Sequence, residues 1–268
     1  MADDSKAPAL RDGRRYFFFD IDGTLACGPL GHRQVPEGTR DALARLRARG
    51  HFTAIATGRS HAMAMPFYTE QGFRNMVCDG GNGAIIDGEF LGVEPLDRAA
   101  CIALLEECDA KGFAWAVSPD DSVVRLAPDT RFAAYIDAGY METRVVPGLD
   151  FHALPQFNKV YIACVAEDEP QLAALAALPH ARQTTHCLFV EPVDKKRGIL
   201  RIMDHLQAPL SQVVVFGDGM NDLTMFDPRW TSIAMGNARA ALKAKATYVT
   251  ADADDDGIRK ACEHFGWI

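Results

Sequence analysis

Two aspartates stand two residues apart in the segment Asp20-Ile21-Asp22-Gly23-Thr24, directly after the apolar run Tyr16-Phe17-Phe18-Phe19. On an extended strand such neighbours point to opposite faces. Gly23 lets the chain turn, so the second carboxylate can swing back over the same place. One of the pair can then attack an electrophile while the other handles protons. Calcium loops also begin Asp-x-Asp, but they need Gly at the sixth position and Glu at the twelfth. Here those positions hold Leu25 and Gly31, and the calcium reading fails.

Three further segments carry groups of matching chemistry. Gly217-Asp218-Gly219-Met220-Asn221-Asp222 follows the apolar run Val213-Val214-Val215-Phe216. Its two carboxylates and one amide are hard oxygen donors of the kind Mg²⁺ uses, with waters and substrate phosphate completing the shell. Thr57-Gly58-Arg59 follows a second apolar run, Phe52 to Ala56. A hydroxyl and backbone N–H groups at a helix start make an anion site, although alone the same pattern serves as a helix cap. Val193-Asp194-Lys195-Lys196-Arg197-Gly198 precedes another helical pattern. A lysine there can hold a phosphate oxygen and a carboxylate together as a point charge. Alone, it reads better as a solvated basic turn.

The elements that must position these groups alternate in type. Residues 16–21 and 52–56 are apolar without alternation, as in strands buried on both faces. Helices are predicted over 37–49, ending at Gly50, and over 61–71, with a strand at 76–78. Strand and helix in turn indicate a parallel sheet covered on both faces. After Gly83 the texture changes. A hairpin over 84–93 turning at Asp87-Gly88, helices at 96–111, 129–138 and 168–178, and strands at 113–118, 122–127, 159–165 and 185–190 read as a mostly antiparallel α+β insertion. From Lys195 the alternation resumes: helix 196–206, strand 213–216, helix 221–226, strand 232–235, helix 238–245 and strand 247–249. The fold class expected is α/β, a Rossmann-like, mostly parallel sheet core with helices on both faces, plus the inserted domain. The expected division is a flexible N-terminal arm at 1–15, a core at 16–88 and 189–268, and an insertion at 89–188.

Composition narrows the function classes. A net charge of −8 over 268 residues argues against non-specific nucleic-acid binding, which needs clustered Lys and Arg. The seven cysteines are scattered, odd in number and without a CxxC pair, so no disulfide framework is expected and a reducing cytoplasm is. No apolar run approaches the roughly 18 residues a spanning helix needs, and Met1 to Arg15 has no apolar signal-peptide region.

In this order and spacing, the four segments resemble the four motifs of the haloacid dehalogenase (HAD) superfamily of phosphatases. An insertion between the second and third motifs is similar to the type IIB cap, the class that includes Cof-like sugar-phosphate phosphatases. Asp79-Gly80-Gly81-Asn82-Gly83-Ala84 resembles that class's Asn-Gly-Ala segment at the crossing into the cap. The resemblance covers the chain from about residue 15. It puts the third-motif cation at Lys195, with Lys196 as second choice, because relatives often have Gly after this lysine and here Lys196 and Arg197 intervene.

That resemblance implies a phosphomonoesterase working through an aspartyl-phosphate. Asp20 would be the nucleophile and Asp22 the acid and base. Mg²⁺ would be held by Asp20, the Asp22 backbone carbonyl, Asp218 and a contribution from Asp222, which would hold a metal-bound water or orient Lys195. Thr57, Gly58, Arg59, Asn82, Gly83, Lys195 and Asn221 would bind phosphate or substrate. The substrate expected is a small phosphorylated metabolite, with a sugar phosphate foremost and neither nucleic acid nor membrane as partner. The expected assembly is a monomer or small homo-oligomer. Two alternatives stand beside this reading: a phosphosugar mutase of the same class, and a non-catalytic phospholigand-binding protein. The latter is expected to have lost a carboxylate, and all four are present.

Overall fold

The computed structural model describes residues 13–29, 32–136 and 141–268. Most of the arm expected at 1–15 lies outside the described residues. Arg15 lies inside them and is tied down: its N–H donates to His51 Nδ1 at 3.0 Å, and its carbonyl accepts from the Phe52 N–H.

The chain packs as two units. One holds the chain up to Gly58, Pro66–Leu91 and Asp194–Ile268; the other holds Arg59–Met65 and Gly92–Val193. The first is built on an eight-stranded sheet of β1 (Tyr16–Phe19), β2 (Phe52–Ala56), β3 (Met76–Cys78), β4 (Gly83–Ile86), β5 (Glu89–Val93), β12 (Val213–Gly217), β13 (Thr231–Ala234) and β14 (Tyr248–Val249). Their order is β14-β13-β12-β1-β2-β3-β4-β5. β14 through β3 run parallel, and β4 turns antiparallel to β3. The four β1 residues alternate between faces, yet all are buried. Both faces of the central strand are therefore covered, and this is why it is aromatic throughout.

Two helices bear directly on the motif loops. α1 (Glu37–Ala48) buries Thr39, Ala42, Leu43 and Leu46 on one stripe, and Gly50 follows it at φ +80°. α4 (Lys195–His205) buries Gly198, Ile199, Ile202 and Met203, and the Asp194 side chain caps its first turn by accepting from the Arg197 N–H. The close approach of α4 to the end of β3 has a specific cause. A Cβ on Gly81, whose φ is +117°, would overlap the Asp194 carbonyl, and one on Gly198 would overlap the Val77 side chain. Only glycine permits backbone contact this tight.

The second unit is a six-stranded sheet in the order β10-β11-β9-β6-β7-β8: β6 (Trp115–Ser118), β7 (Val124–Ala127), β8 (Glu142–Val145), β9 (Lys159–Ala163), β10 (His180–Thr184) and β11 (Cys187–Val190). It is antiparallel except where β7 and β8 pair parallel. α3 (Arg98–Lys111), capped by Asp97 and ended by Gly112 at φ +77°, buries Cys101, Leu104, Leu105 and Cys108 against this unit's core. β11 keeps its register with β9 as far as Val190↔Val160, so it runs through the boundary expected at 188/189. β5 likewise carries the first sheet past residue 88.

Three expected helices are not α-helices. Over 168–178 the chain makes two 3₁₀ turns, Glu169–Gln171 and Ala173–Ala177, broken at Leu172 (φ −95°, ψ 77°). Over 129–138 the described part is a 3₁₀ turn at Phe132–Tyr135, with residues 137–140 outside the described set. Over 221–226 the chain is a 3₁₀ turn, Met220–Met225, because the Asp222 side chain binds backbone N–H groups at its entrance. The C-terminal helix α6 (Gly257–His264), which follows α5 (Ala240–Lys243), carried no expectation; it packs against α1. α2 (His61–Glu70) spans the predicted 61–71.

Candidate active site

The first motif leaves the sheet at the carboxyl end of β1. The Asp20 N–H donates to the Phe216 carbonyl at 3.0 Å, so pairing with β12 continues through the aspartate. The chain then turns tightly: Leu25 N–H bonds the Asp20 carbonyl, Ala26 N–H the Ile21 carbonyl, and Gly23 N–H the Ala26 carbonyl. Gly23 has φ +95°, and a Cβ there would overlap the Asp218 carboxylate. The backbone of the first motif thus lies directly against the Asp218 carboxylate of the fourth, and Thr24 fastens them with an Oγ1 hydrogen bond to Asp218 Oδ1 at 2.8 Å.

At the centre lies Lys195, the first residue of α4, only 1% exposed. Its Nζ is 2.6 Å from Asp20 Oδ1 and 2.5 Å from Asp222 Oδ1. The other Asp222 oxygen accepts the N–H groups of Asp218 and Gly219, both at 2.9 Å. Asp222 is fully buried with both oxygens engaged, so it orients the lysine and the Asp218 loop. Lys196 points elsewhere, 3.6 Å from Asp227; the geometry singles out Lys195 as the lysine of this cluster.

Burial and crowding of like charge explain the electrostatics. Desolvation, followed by repulsion from Asp222, pushes the Asp20 carboxyl up to about 7, with Lys195 opposing the rise. Asp218 is pushed up to about 6, chiefly by burial, while its bond from Thr24 works the other way. For Lys195, burial disfavours the charged form, but Asp20 and Asp222 outweigh it and raise the ammonium above its ordinary value. Carboxylate oxygens of Asp20, Asp218 and Asp222 lie within 4.8 Å of one another. Three carboxylates face one ammonium, which is an excess of negative charge that a hard divalent cation offsets. This donor set fits Mg²⁺, which Asp20 and Asp218 could hold, since Asp222 is already committed.

The other expected residues are placed less uniformly. Thr57 is buried at the end of β2, where its N–H bonds the Val77 carbonyl. A Cβ on Gly58 would stand 3.8 Å from Asn221 Nδ2, so the second-motif loop reaches the exposed fourth-motif amide. Arg59 belongs to the segment that packs with the second unit. Asn82 accepts a hydrogen bond from Arg197 Nη1 at 2.8 Å, which ties the β3–β4 connection to the start of α4, and Gly83 pairs with Cys78 to join β4 to β3. Asp22 is half-buried and turned toward Arg33, whose Nη1 lies 2.8 Å from Asp22 Oδ1. Thr24 and Arg33 were missed as site residues. Thr24 could have been found from its place in the first motif; Arg33 left no signal in the sequence. In the second unit, Arg125 is fully buried between the Phe132 and Tyr161 rings, and Lys159 pairs with Glu191 at 2.6 Å.

Comparison with known proteins gives this geometry a family. A family model described as haloacid dehalogenase-like hydrolase matches residues 17–262. The chain is 30% identical over 265 residues to the protein YkrA of Bacillus subtilis (strain 168), covering 95% of this chain and 98% of that one. It is 26% identical over 264 residues to the pyridoxal phosphate phosphatase YbhA of Escherichia coli (strain K12), covering 91% and 96%. Among solved structures, that of the HAD subclass IIB sugar phosphatase BT4131 superposes with a TM-score of 0.76 at 27% identity, over 95% of this chain and all of the other. The chain belongs to the haloacid dehalogenase-like hydrolases.

Proposed function

We propose that this chain is a Mg²⁺-dependent phosphatase that hydrolyses a small phosphorylated metabolite through an aspartyl-phosphate on Asp20, with a sugar phosphate as the foremost substrate class. The observation that carries the reading is the ion pair of Asp20 with the buried Lys195, in a cluster completed by Asp218 and Asp222. A relative that is a sugar phosphatase and one that is a pyridoxal phosphate phosphatase support a small phosphate ester.

In the first step, an Asp20 oxygen attacks phosphorus in line with the ester oxygen. The P–O bond to the leaving group breaks, and Asp22 gives that oxygen its proton. In the second step, Asp22 takes a proton from water, the water oxygen attacks phosphorus, and the bond to Asp20 breaks to release inorganic phosphate. Splitting the reaction this way exchanges one difficult displacement for two easier ones. Lys195 holds Asp20 in register and balances charge on the phosphoryl oxygens, while Thr57, Gly58 and Asn221 supply donors for those oxygens. Mg²⁺, when bound by Asp20, Asp218 and the Asp22 backbone carbonyl, supplies the charge that lets two anions approach. The second unit, Arg59–Met65 with Gly92–Val193, is the cap that selects substrate in this reading.

Phosphate release from an aryl phosphate, with Mg²⁺ and with EDTA, tests the reading. Asp20→Asn is expected to abolish release while keeping the thermal transition. Undiminished turnover in that variant sinks the assignment.

A further inference from the structure

Arg33 stands one residue before a pinned backbone pair. Cys27 and Gln34 exchange both backbone hydrogen bonds, at 3.0 and 2.9 Å, and Val35 beside them is buried. On the other side, Asp22 and Ala26 form an isolated bridge inside the first-motif turn. Both backbones are therefore pinned next to the residues whose side chains meet, Arg33 Nη1 with Asp22 Oδ1 at 2.8 Å. The two side chains are about equally half-buried, at 27% and 32% exposure. Asp22 is the only first-motif carboxylate outside the Asp20–Asp218–Asp222 group among the described residues.

We infer that Arg33 is a positioning residue for Asp22, fixing the rotation of that carboxylate so that it addresses the leaving-group oxygen and then the attacking water. The inference rests on the proposed role of Asp22 as acid and base. An ion pair this exposed contributes little to stability, whereas misplacing a reacting group by about 1 Å can cost about 10²-fold in rate. Arg33 should therefore be visible in turnover and nearly invisible in unfolding. The contact is an ion pair made through Nη1 alone, and Arg33 Nη1 and Nε make no aligned hydrogen bond among the described residues, so the hold on Asp22 is one of charge at short range.

The test compares Arg33→Gln, Arg33→Lys, Asp22→Asn and the double variant on p-nitrophenyl phosphate and on glycerol phosphate, whose alkoxide needs the proton more. Expected for Arg33→Gln is a kcat loss on glycerol phosphate of about 10-fold, several times larger than on the aryl ester, at unchanged KM and an unchanged melting transition. Arg33→Lys recovers part of it, and Arg33→Gln adds nothing in the Asp22→Asn background. Equal losses on both esters, a rise confined to KM, or a full further loss in the Asp22→Asn background overturns the inference while Asp22 keeps its role. If Asp22→Asn itself shows no dependence on leaving group, the role proposed for Asp22 fails first, and the positioning role with it.

Discussion

Lys195 Nζ lies 2.6 Å from Asp20 Oδ1, a contact between residues 175 positions apart that joins the start of α4 to the end of β1. Both side chains are almost wholly buried. Breaking a buried pair leaves an uncompensated charge, so the lysine is as much a structural demand as a chemical one. Its neighbour Lys196, a third exposed and 3.6 Å from Asp227, faces no such demand.

Exchange of the two lysines separates these roles. Lys195→Met is expected to lower turnover by at least about 10²-fold and to destabilise the fold by about 3–5 kcal/mol. Lys196→Met should stay within about 0.5 kcal/mol of the parent, as surface substitutions do. Urea denaturation and phosphate release on the two variants check this; equal effects would contradict it.

Asp222 offers one oxygen to Lys195 and the other to two backbone N–H groups. Asparagine has a single carbonyl oxygen, so its amide must face a donor on one side. Asp222→Asn is expected to cut kcat and raise the half-saturating Mg²⁺ concentration by about 10–100-fold, the scale on which residues supporting metal ligands act. Turnover titrated with Mg²⁺ at fixed substrate reads both.

Gly23 is required twice, by its φ of +95° and by the Asp218 carboxylate where a Cβ would lie. Gly23→Ala must shift the turn or displace Asp218, at a cost of about 1 kcal/mol or more. The expected signature is a Mg²⁺ requirement raised by about 10-fold with an intact circular dichroism spectrum. A change in KM for substrate alone would speak against it.

The raised Asp20 carboxyl makes the stability of the metal-free protein depend on pH. Its value in the fold, about 7, lies above the ordinary 3.8, so between those values the folded state binds the proton that the unfolded state has lost. The stabilising contribution is complete below about 3.8 and disappears as pH rises through about 7. In EDTA, the melting temperature should therefore fall between pH 5 and pH 8, and Asp20→Asn should flatten that slope. Mg²⁺, favouring the ionised carboxylates, should raise the melting temperature more at pH 8 than at pH 5.5. Thermal scans at the two pH values, with and without metal, decide it.

Much of this arrangement was legible before any coordinates. The run Phe17-Phe18-Phe19 demanded burial on both faces, Val213 to Phe216 the same, and each ended in acids. That pattern alone identified strands whose carboxyl ends carry chemistry. What misled was local periodicity in the second unit, where the apolar spacing over 168–178 promised a helix and the chain made two 3₁₀ turns. The tertiary packing of Leu172, Leu175 and Leu178 into this unit's core outweighed propensity there.

Residue type and order indicated the strand–helix alternation, a change of texture after Gly83, and the identity of the acids at the strand ends, because burial periodicity and turn chemistry act over a few residues. Which lysine would meet Asp20, that Asp222 would spend both oxygens on orientation, and that Asp22 would turn to Arg33 were decided only in the tertiary structure. Those relations depend on angles and ångström distances between segments up to 202 positions apart, from Asp20 to Asp222, and no local pattern encodes them.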